Sequence, residues 1–495
     1  MRTHRFLAFD LGAESGRAVL GELDSSRLSI RELHRFANGP KRIQGHEHWD
    51  LDRLFQNILE GARRCTTEGG APPDSLAVDT WGVDFGLLAK DGRLVGPPFA
   101  YRDSRTAGAM EFFFSRMPRE EVYGLTGVQF LPFNTLFQLA SMVRDRSSLL
   151  ESASRLLFMP DLFHFLLTGR MSSEFTIATT SQIYDPRRRA WSGKLMAALG
   201  LPLSLLPDVA PTASILGTMT AETATAAGLP SGTPVIASAS HDTASAVAAV
   251  PAEGSDWAYI SSGTWSLVGI ESAEPIISSR TRELNFTNEG GLGGRFRFLK
   301  NVTGLWLLQQ CRKSWEASGG RPLDYAALAE TALSTPAFRT FIDPDDPDFL
   351  NPADMPLAIR SFARRTGQPE PDSVPAFVRC ILESLALTYR RVLDELRQVS
   401  PRPIRIIHII GGGSQNKLLC RFTAEATGLP VVAGPAEATA AGNILGQALA
   451  LGAVGSLDEI RAVMRNSFNL ERYQPREATA WKSAFVRFKD IVASD

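Results

Sequence analysis

The chain has no CxxC pair, no block of like charge, no unbroken apolar run long enough for a membrane, and no GxxxxGK[ST] phosphate loop. Its four cysteines, Cys65, Cys311, Cys380 and Cys420, stand far apart in 495 residues. That spacing gives neither a disulfide framework nor a metal knuckle, and suits reduced thiols in a cytoplasmic protein. The formal net charge is −1, with Lys and Arg scattered along the chain, so nucleic acid and anionic membranes are not expected partners. The apolar stretch Phe6 to Phe9 stops at Asp10, too short for the core of a signal peptide. The segment from Val431 to Leu457 carries one charge, Glu437, but Pro435, Asn443, Gln447 and several glycines interrupt it. A tightly packed internal strand and helix are expected there rather than a membrane span.

Apolar residues make up 44% and charged residues 21%, the balance of an ordinary globular protein, and the length calls for two or more domains. Strand-like and helix-like segments alternate, as in α/β architectures. FLAFDLGAESGRAVLGEL (Phe6 to Leu23) reads as strand, Gly/Ser turn, strand. WAYISSGTWSLVGIES (Trp257 to Ser272) reads the same way. Duplication and chance explain two such hairpins equally well. A boundary is expected near residues 240–255, where PVIASASHDTASAVAAVPAEGSD passes into a polar Pro/Gly turn. IDPDDPDFLNP (Ile342 to Pro352) reads as a surface loop, and Ser456 with Glu459 has capping-box spacing before a late helix.

Four places could carry chemistry. Asp10 ends the first strand beside Gly12–Arg17, a turn whose backbone N–H groups could cradle phosphate; a carboxylate there calls for a cation such as Mg²⁺ in between, or is simply a turn former. Asp242, in Ser240-His241-Asp242-Thr243, is placed to act as a general base or to cap the following helix. Gly411–Ser414 lies between the strand IRIIHII and a helix whose Leu418, Leu419, Phe422 and Ala426 share one face; such glycines admit a close backbone approach, for an adenosine or for a tight connection. Asp79–Phe85 and Tyr101–Arg105 combine aromatic and polar groups fit for a sugar; alternatively Trp81 and Phe85 are core, with Asp103 and Arg105 a solvated ion pair.

Taken together, AFDLGAESGRAVLG, HRFANGPKRIQGHEHWD, DTWGVDFGLL, AYRDSRT, GVQFLPFNTLFQL, ASHDTASAVAAVP, NFTNEGG, FLKNVTGLWLLQQC, HIIGGGSQNKLL and VVAGPAEATAAGNILGQALALG, in this order and spacing, resemble the FGGY carbohydrate kinases from about Phe6 to the last 20–30 residues. The resemblance implies two α/β domains of the actin-like, ribonuclease H-like type flanking a deep cleft, 1–244 on the sugar side and 245–495 on the nucleotide side. It implies transfer of a phosphoryl group from ATP, with Mg²⁺, to the primary hydroxyl of a ketose, L-rhamnulose in the best-fitting members. Ala13, Glu14, Ser15, Gly16, Arg17 and Thr264 would meet ATP phosphates, and Asp10 would face Mg²⁺, through water. Gly82, His241, Asp242 and Thr243 would meet the sugar, with Asp242 the base. Asn301, Gln309 and Gly412 would hold the adenosine side. Asn301 and Gln309 are eight apart and would share a face if both were helical. The stretch from Glu316 to Pro375 matches only loosely and carries no assigned role. The alternatives are another FGGY kinase acting on xylulose or fuculose, a non-metabolic ATPase of the same fold, or a sugar sensor without turnover.

Overall fold

The computed structural model describes residues 3–319, 325–476 and 478–493, so part of the loosely matching stretch lies outside the described residues. By packing, the chain divides into two units. One takes the residues up to Pro251 together with Glu271–Phe298 and Ala438–Ser467; the other takes Ala252–Ile270, Leu299–Glu437 and the residues from Phe468 onward.

Six strands form the sheet of the first unit: β1 (His4–Leu11), β2 (Ser15–Asp24), β3 (Arg27–Ala37), β4 (Ser75–Thr80), β5 (Ser214–Thr218) and β6 (Pro234–Ala237), in the order β5-β6-β4-β1-β2-β3. β1, β2 and β3 are successive antiparallel neighbours. β1 and β4 run parallel, as do β4 and β6, and β5 returns antiparallel along β6. Every residue of β4 is buried, and so are Phe6 to Phe9 of β1, which is why Phe6–Phe9 and Leu76–Val78 read as unbroken apolar runs rather than alternating ones. The helix Leu51–Thr67 presents Leu54, Ile58, Ala62 and Cys65, at helical spacing, to a core containing Phe9 and Val78. Its start is fixed by Asp50, whose carboxylate accepts from the Arg53 N–H at 3.1 Å.

In the second unit the strands are β7 (Trp257–Ser262), β8 (Trp265–Ser272), β9 (Phe296–Thr303, of which 299–303 belong here), β10 (Ile406–Ile410), β11 (Val431–Ala433) and β12 (Glu471–Tyr473), in the order β9-β8-β7-β10-β11-β12. β7 and β8 form an antiparallel hairpin, β7 and β10 run parallel, β10 and β11 run parallel, and β12 is antiparallel to β11. A seventh strand, Thr287–Gly290, extends the order beyond β9. From the hairpin to the far edge, β8-β7-β10-β11-β12 repeats the neighbours and senses of β2-β1-β4-β6-β5, so the two hairpins are corresponding parts of a repeated sheet and not a chance likeness.

The small-residue segment resolves into the strand Val431–Ala433 and the helix Ala438–Ala450. No helix among the described residues is long and apolar enough to cross a membrane. Residues 342–352 are more than a surface loop. Ile342 and Phe349 are fully buried, Asp345 accepts from the Thr303 N–H at 2.8 Å, and Asp346 pairs with Arg365 at 2.6 Å. The late helix Leu457–Ser467 is capped as its spacing predicts: Ser456 Oγ accepts from the Glu459 N–H, while the Glu459 carboxylate reaches back one residue further, to the Gly455 N–H at 2.7 Å. All four cysteines are free and buried.

Candidate active site

Three chain segments end side by side in the first unit. Asp10 and Asp79 are register partners on the parallel strands β1 and β4. The chain beyond β6 joins them, since the Thr80 N–H donates to Ser240 O at 2.9 Å and Thr80 bridges His241 in parallel sense. Carboxyl ends of parallel strands are where α/β sheets take ligands. Here they gather Asp10, Asp79 and Asp242. The turn after β1 is braced by Asn38, whose side chain donates to Gly12 O at 2.8 Å and whose N–H donates to Glu14 O at 2.9 Å. Gly16 packs closely beside it: a Cβ there would lie 2.3 Å from the Phe36 ring, which would have to move. Arg17 Nη2 donates to Asp10 Oδ2 at 2.6 Å.

Asp242 is not the cap of its helix. His241 occupies the cap position without a side-chain bond, and Asp242 is the first helical residue, its Oδ1 accepting from the Thr243 N–H at 2.5 Å and the Thr243 hydroxyl at 3.0 Å. Burial, then repulsion from Asp10, pushes its pKa up to about 7, against the lowering pull of those two bonds. Asp79 is wholly buried and raised well above the carboxylate range, first by burial and then by Asp10; Asn443 Nδ2 donates to its Oδ2 at 2.5 Å, and its Oδ1 has no hydrogen-bond partner. The unpartnered Asp79 oxygen leaves one buried acceptor beside Asp10, a donor set that would suit an ion held at Asp10 through water rather than caged by side chains. Among the described residues no three His, Cys, Asp or Glu side chains form a metal cage.

His241 is 7% exposed. Its Nε2 lies 3.3 Å from Asp242 Oδ1, and its Nδ1 lies 2.9 Å from Arg297 Nη2, which also reaches Glu289 Oε2 at 3.0 Å. Burial, then Arg297, holds the imidazole pKa well below its ordinary value. The backbone of this turn is gripped from behind. Glu174 Oε2 accepts from the Ser240 N–H at 3.1 Å and from the Thr176 hydroxyl at 2.5 Å, and Thr176 Oγ1 accepts from the His241 N–H at 3.0 Å. A Cβ on Gly82 would come within 3.3 Å of His241 Nε2, so the glycine keeps that nitrogen's surroundings open. The next residue, Val83, takes φ +67°, a costly backbone for a β-branched side chain. It is pinned by Thr180 Oγ1 at its N–H and by the Thr135 hydroxyl at its carbonyl.

Around these residues the aromatic cluster is core built on a buried charge. Trp81 and Trp49 Nε1 donate to Asp84 Oδ2 at 3.0 and 2.7 Å, and Gln138 donates to Oδ1 at 2.9 Å. Asp103 and Arg105 are not a solvated ion pair. Asp103 is 4% exposed and bonds His46 and the Glu47 N–H, while Arg105 Nη2 donates to Gln138 Oε1 at 2.6 Å and stacks over Phe99.

In the second unit the nucleotide-side candidates surround the β7–β8 hairpin. Thr264 O accepts from the Gly304 and Trp306 N–H groups and Gly263 O from that of Leu305, which ties the turn to the start of the helix Trp306–Ala317. Gln309 lies on that helix, with Oε1 lacking a hydrogen-bond partner. Asn301 lies on β9, so the two do not share a helical face. The Gly411–Ser414 turn follows β10 as expected. Its close approach is to β7: a Cβ on Gly413 would meet Ser262 Oγ at 2.0 Å, and Gly411, at φ +78°, would meet Ser262 O at 3.0 Å, whereas Gly412 faces open space. Arg297, Glu289 and Glu174 carry no individual signal in the sequence, and Asp79 stands out there only as the start of a stretch fit for a sugar. Each acts across a long chain separation, so no local pattern marks these roles.

Residues 5–249 match the N-terminal domain, and residues 258–451 the C-terminal domain, of the FGGY family of carbohydrate kinases. The chain belongs to this family and is a carbohydrate kinase. It is 47% identical to the rhamnulokinase of Bacteroides thetaiotaomicron, over 98% of this chain and 99% of the relative. It is 43% identical to that of Pectobacterium carotovorum subsp. carotovorum, over 99% and 97%. Among solved structures, xylulose kinase from Lactobacillus acidophilus superposes with a TM-score of 0.82 at 17% identity, covering 99% of this chain and 98% of that one. Plasmodium falciparum glycerol kinase with ADP gives 0.76 at 14%, covering 99% and 98%. The fold is the two-domain α/β fold of these kinases.

Proposed function

We propose that the protein transfers the γ-phosphoryl group of ATP to the primary hydroxyl of L-rhamnulose, yielding L-rhamnulose 1-phosphate and ADP in cytoplasmic rhamnose breakdown. The observation that carries the substrate is the 47% identity to a rhamnulokinase along nearly the whole chain. Asp242 is the general base: its pKa of about 7 suits a group that must be free near neutrality and still accept a proton. It takes the hydroxyl proton as that oxygen attacks the γ-phosphorus; the bond to the ADP oxygen breaks, and the proton stays on the carboxyl group until ADP and product leave. Gly82, His241 and Thr243 would face the sugar. Ala13, Glu14, Ser15, Gly16, Arg17 and Thr264 would hold the phosphates, and Asn301, Gln309 and Gly412 the adenosine side. This assigns sugar binding to 1–244 and the adenosine side to 245–495. Asp10 would hold Mg²⁺ through water, and the ion, when bound, offsets charge on the phosphates.

ADP release measured over a panel of sugars tests the substrate. L-rhamnulose is expected to give the highest kcat/KM, with a close ketose such as fuculose accepted and glycerol poor, because polar groups placed for hydroxyls reject substrates that leave them unpaired. Glycerol or xylulose ahead of rhamnulose would overturn the assignment.

A further inference from the structure

We propose that Arg297 is a positioning residue that holds His241 in one neutral tautomer, with the proton on Nε2, and so fixes a hydrogen-bond donor against the Asp242 carboxylate. The argument starts from donors. A guanidinium has N–H groups, no acceptor, and keeps its proton at any physiological pH. Arg297 Nη2 stands 2.9 Å from His241 Nδ1 and 3.0 Å from Glu289 Oε2, so both of those atoms accept and Nδ1 carries no hydrogen. The single ring proton is then on Nε2, the nitrogen 3.3 Å from Asp242 Oδ1, a close approach that becomes a hydrogen bond only if the two groups align when substrate is bound.

The arrangement resists the alternatives. Arg297 is 0% exposed, and its Nε is anchored on Gly290 O at 2.9 Å, so the donor cannot swing away. Glu289 Oε2, 3.5 Å from Nδ1, would by itself favour Nδ1–H or an imidazolium; the nearer guanidinium prevents both, since a second cation at 2.9 Å in a dry site is repelled. The charged groups facing the imidazole are Arg297, Glu289 and Asp242, and Asp10 enters through its repulsion of Asp242. Of the two adjacent titratable residues, His241 is thereby removed as a proton acceptor toward the sugar, and its N–H is placed to support Asp242 before and after proton transfer.

The inference deepens the reading of Asp242 as base, but its first test is independent of that reading. In the full-length ¹⁵N-labelled protein, the His241 ring signals, assigned by their loss in His241→Gln, are expected to show a pyridine-type Nδ1 and a pyrrole-type Nε2, unchanged from about pH 5.5 to 8.5. A pyrrole-type Nδ1, or a doubly protonated ring appearing in that range, overturns the proposal. In Arg297→Met, Glu289 faces Nδ1 without competition. The tautomer should flip, and kcat should fall about 10- to 100-fold with little change in the KM for ATP. Arg297→Lys, which still presents a donor, should recover most of that loss. A folded Arg297→Met with native turnover and native ring signals also overturns it. Should Arg297→Met fail to fold, the spectra of the native protein decide alone.

Discussion

Asp242 begins its helix rather than capping it, so Asp242→Asn separates two consequences that a cap would have joined. The variant keeps a side-chain oxygen to accept from the Thr243 N–H, and it loses the proton acceptor; kcat should fall about 10²- to 10⁴-fold, with ATP affinity retained. Its stability should not fall. The folded pKa of about 7 lies above the ordinary 3.8, so between those values the folded state holds more protons than the unfolded chain and stability declines as pH rises. The penalty is complete above about pH 7 and absent well below 4, so Asp242→Asn should melt above the native protein at pH 8, the gap closing toward pH 4. In the native enzyme kcat/KM should rise with pH through a single ionisation near 7. Native turnover in folded Asp242→Asn, or a flat profile from pH 5.5 to 8.5, would place the base elsewhere. Asp242 was legible because it stands in a short strand–turn–helix stretch. Arg297 was not, because its bond to His241 spans 56 residues, and an arginine on an apolar strand has no local signature.

At the level of elements, the helix Ala438–Ala450 explains why its segment is so poor in large side chains. A Cβ at Gly442 would lie 1.8 Å from Ser245 O, on the backbone of the helix Asp242–Ala248, and one at Gly446 would lie 2.1 Å from Ser238 Oγ. The backbone carbonyl cannot rotate away, while the serine side chain can. Gly442→Ala should therefore destabilise by about 1–3 kcal/mol, as overpacking does, and Gly446→Ala by less. Gly124, in the helix Arg119–Thr126, has nothing within 4 Å of the added atom, and Gly124→Ala should stabilise by about 0.5–1 kcal/mol. Thermal melting of the three variants checks the order; Gly442→Ala melting with the native protein would mean that the two helices can separate at no cost. The composition pointed to this close packing, but not to the partner. Likewise the Gly411–Ser414 turn was legible as a turn, whereas its contact with Ser262 was not. The condition for Asn301 and Gln309 to share a helical face is not met, because eight-residue spacing says nothing until the element is known, and FRFLKNVT is a strand.

On the scale of the whole chain, the repeat was legible as two Gly/Ser hairpins because buried central strands and tight turns leave local marks. The discontinuity of the first unit leaves none. Its buried polar groups are completed from the far end of the sequence: Asn443 Nδ2 donates to Asp79, Gln447 Nε2 to Leu7 O at 3.1 Å, and the Ser75 hydroxyl to Gln447 Oε1 at 2.8 Å, across separations of 364 to 440 residues. Removing those partners strands a buried carboxylate, a buried hydroxyl and a strand carbonyl, at about 1–3 kcal/mol each. It also uncovers the apolar face that Ala438–Ala450 occupies. A fragment of residues 1–251 also lacks Glu289 and Arg297, leaving His241 without its Nδ1 donor. It should be soluble at best as a loosely packed state, without a cooperative melt and with dye-accessible apolar surface. Appending 271–298 and 438–467 through flexible linkers should restore a cooperative transition and slow amide exchange in β1 and β4. A fragment of residues 1–251 that melts as sharply and at the same temperature as the intact protein would show that the distant helix is an accessory, and that the carboxylate end of the site assembles without it.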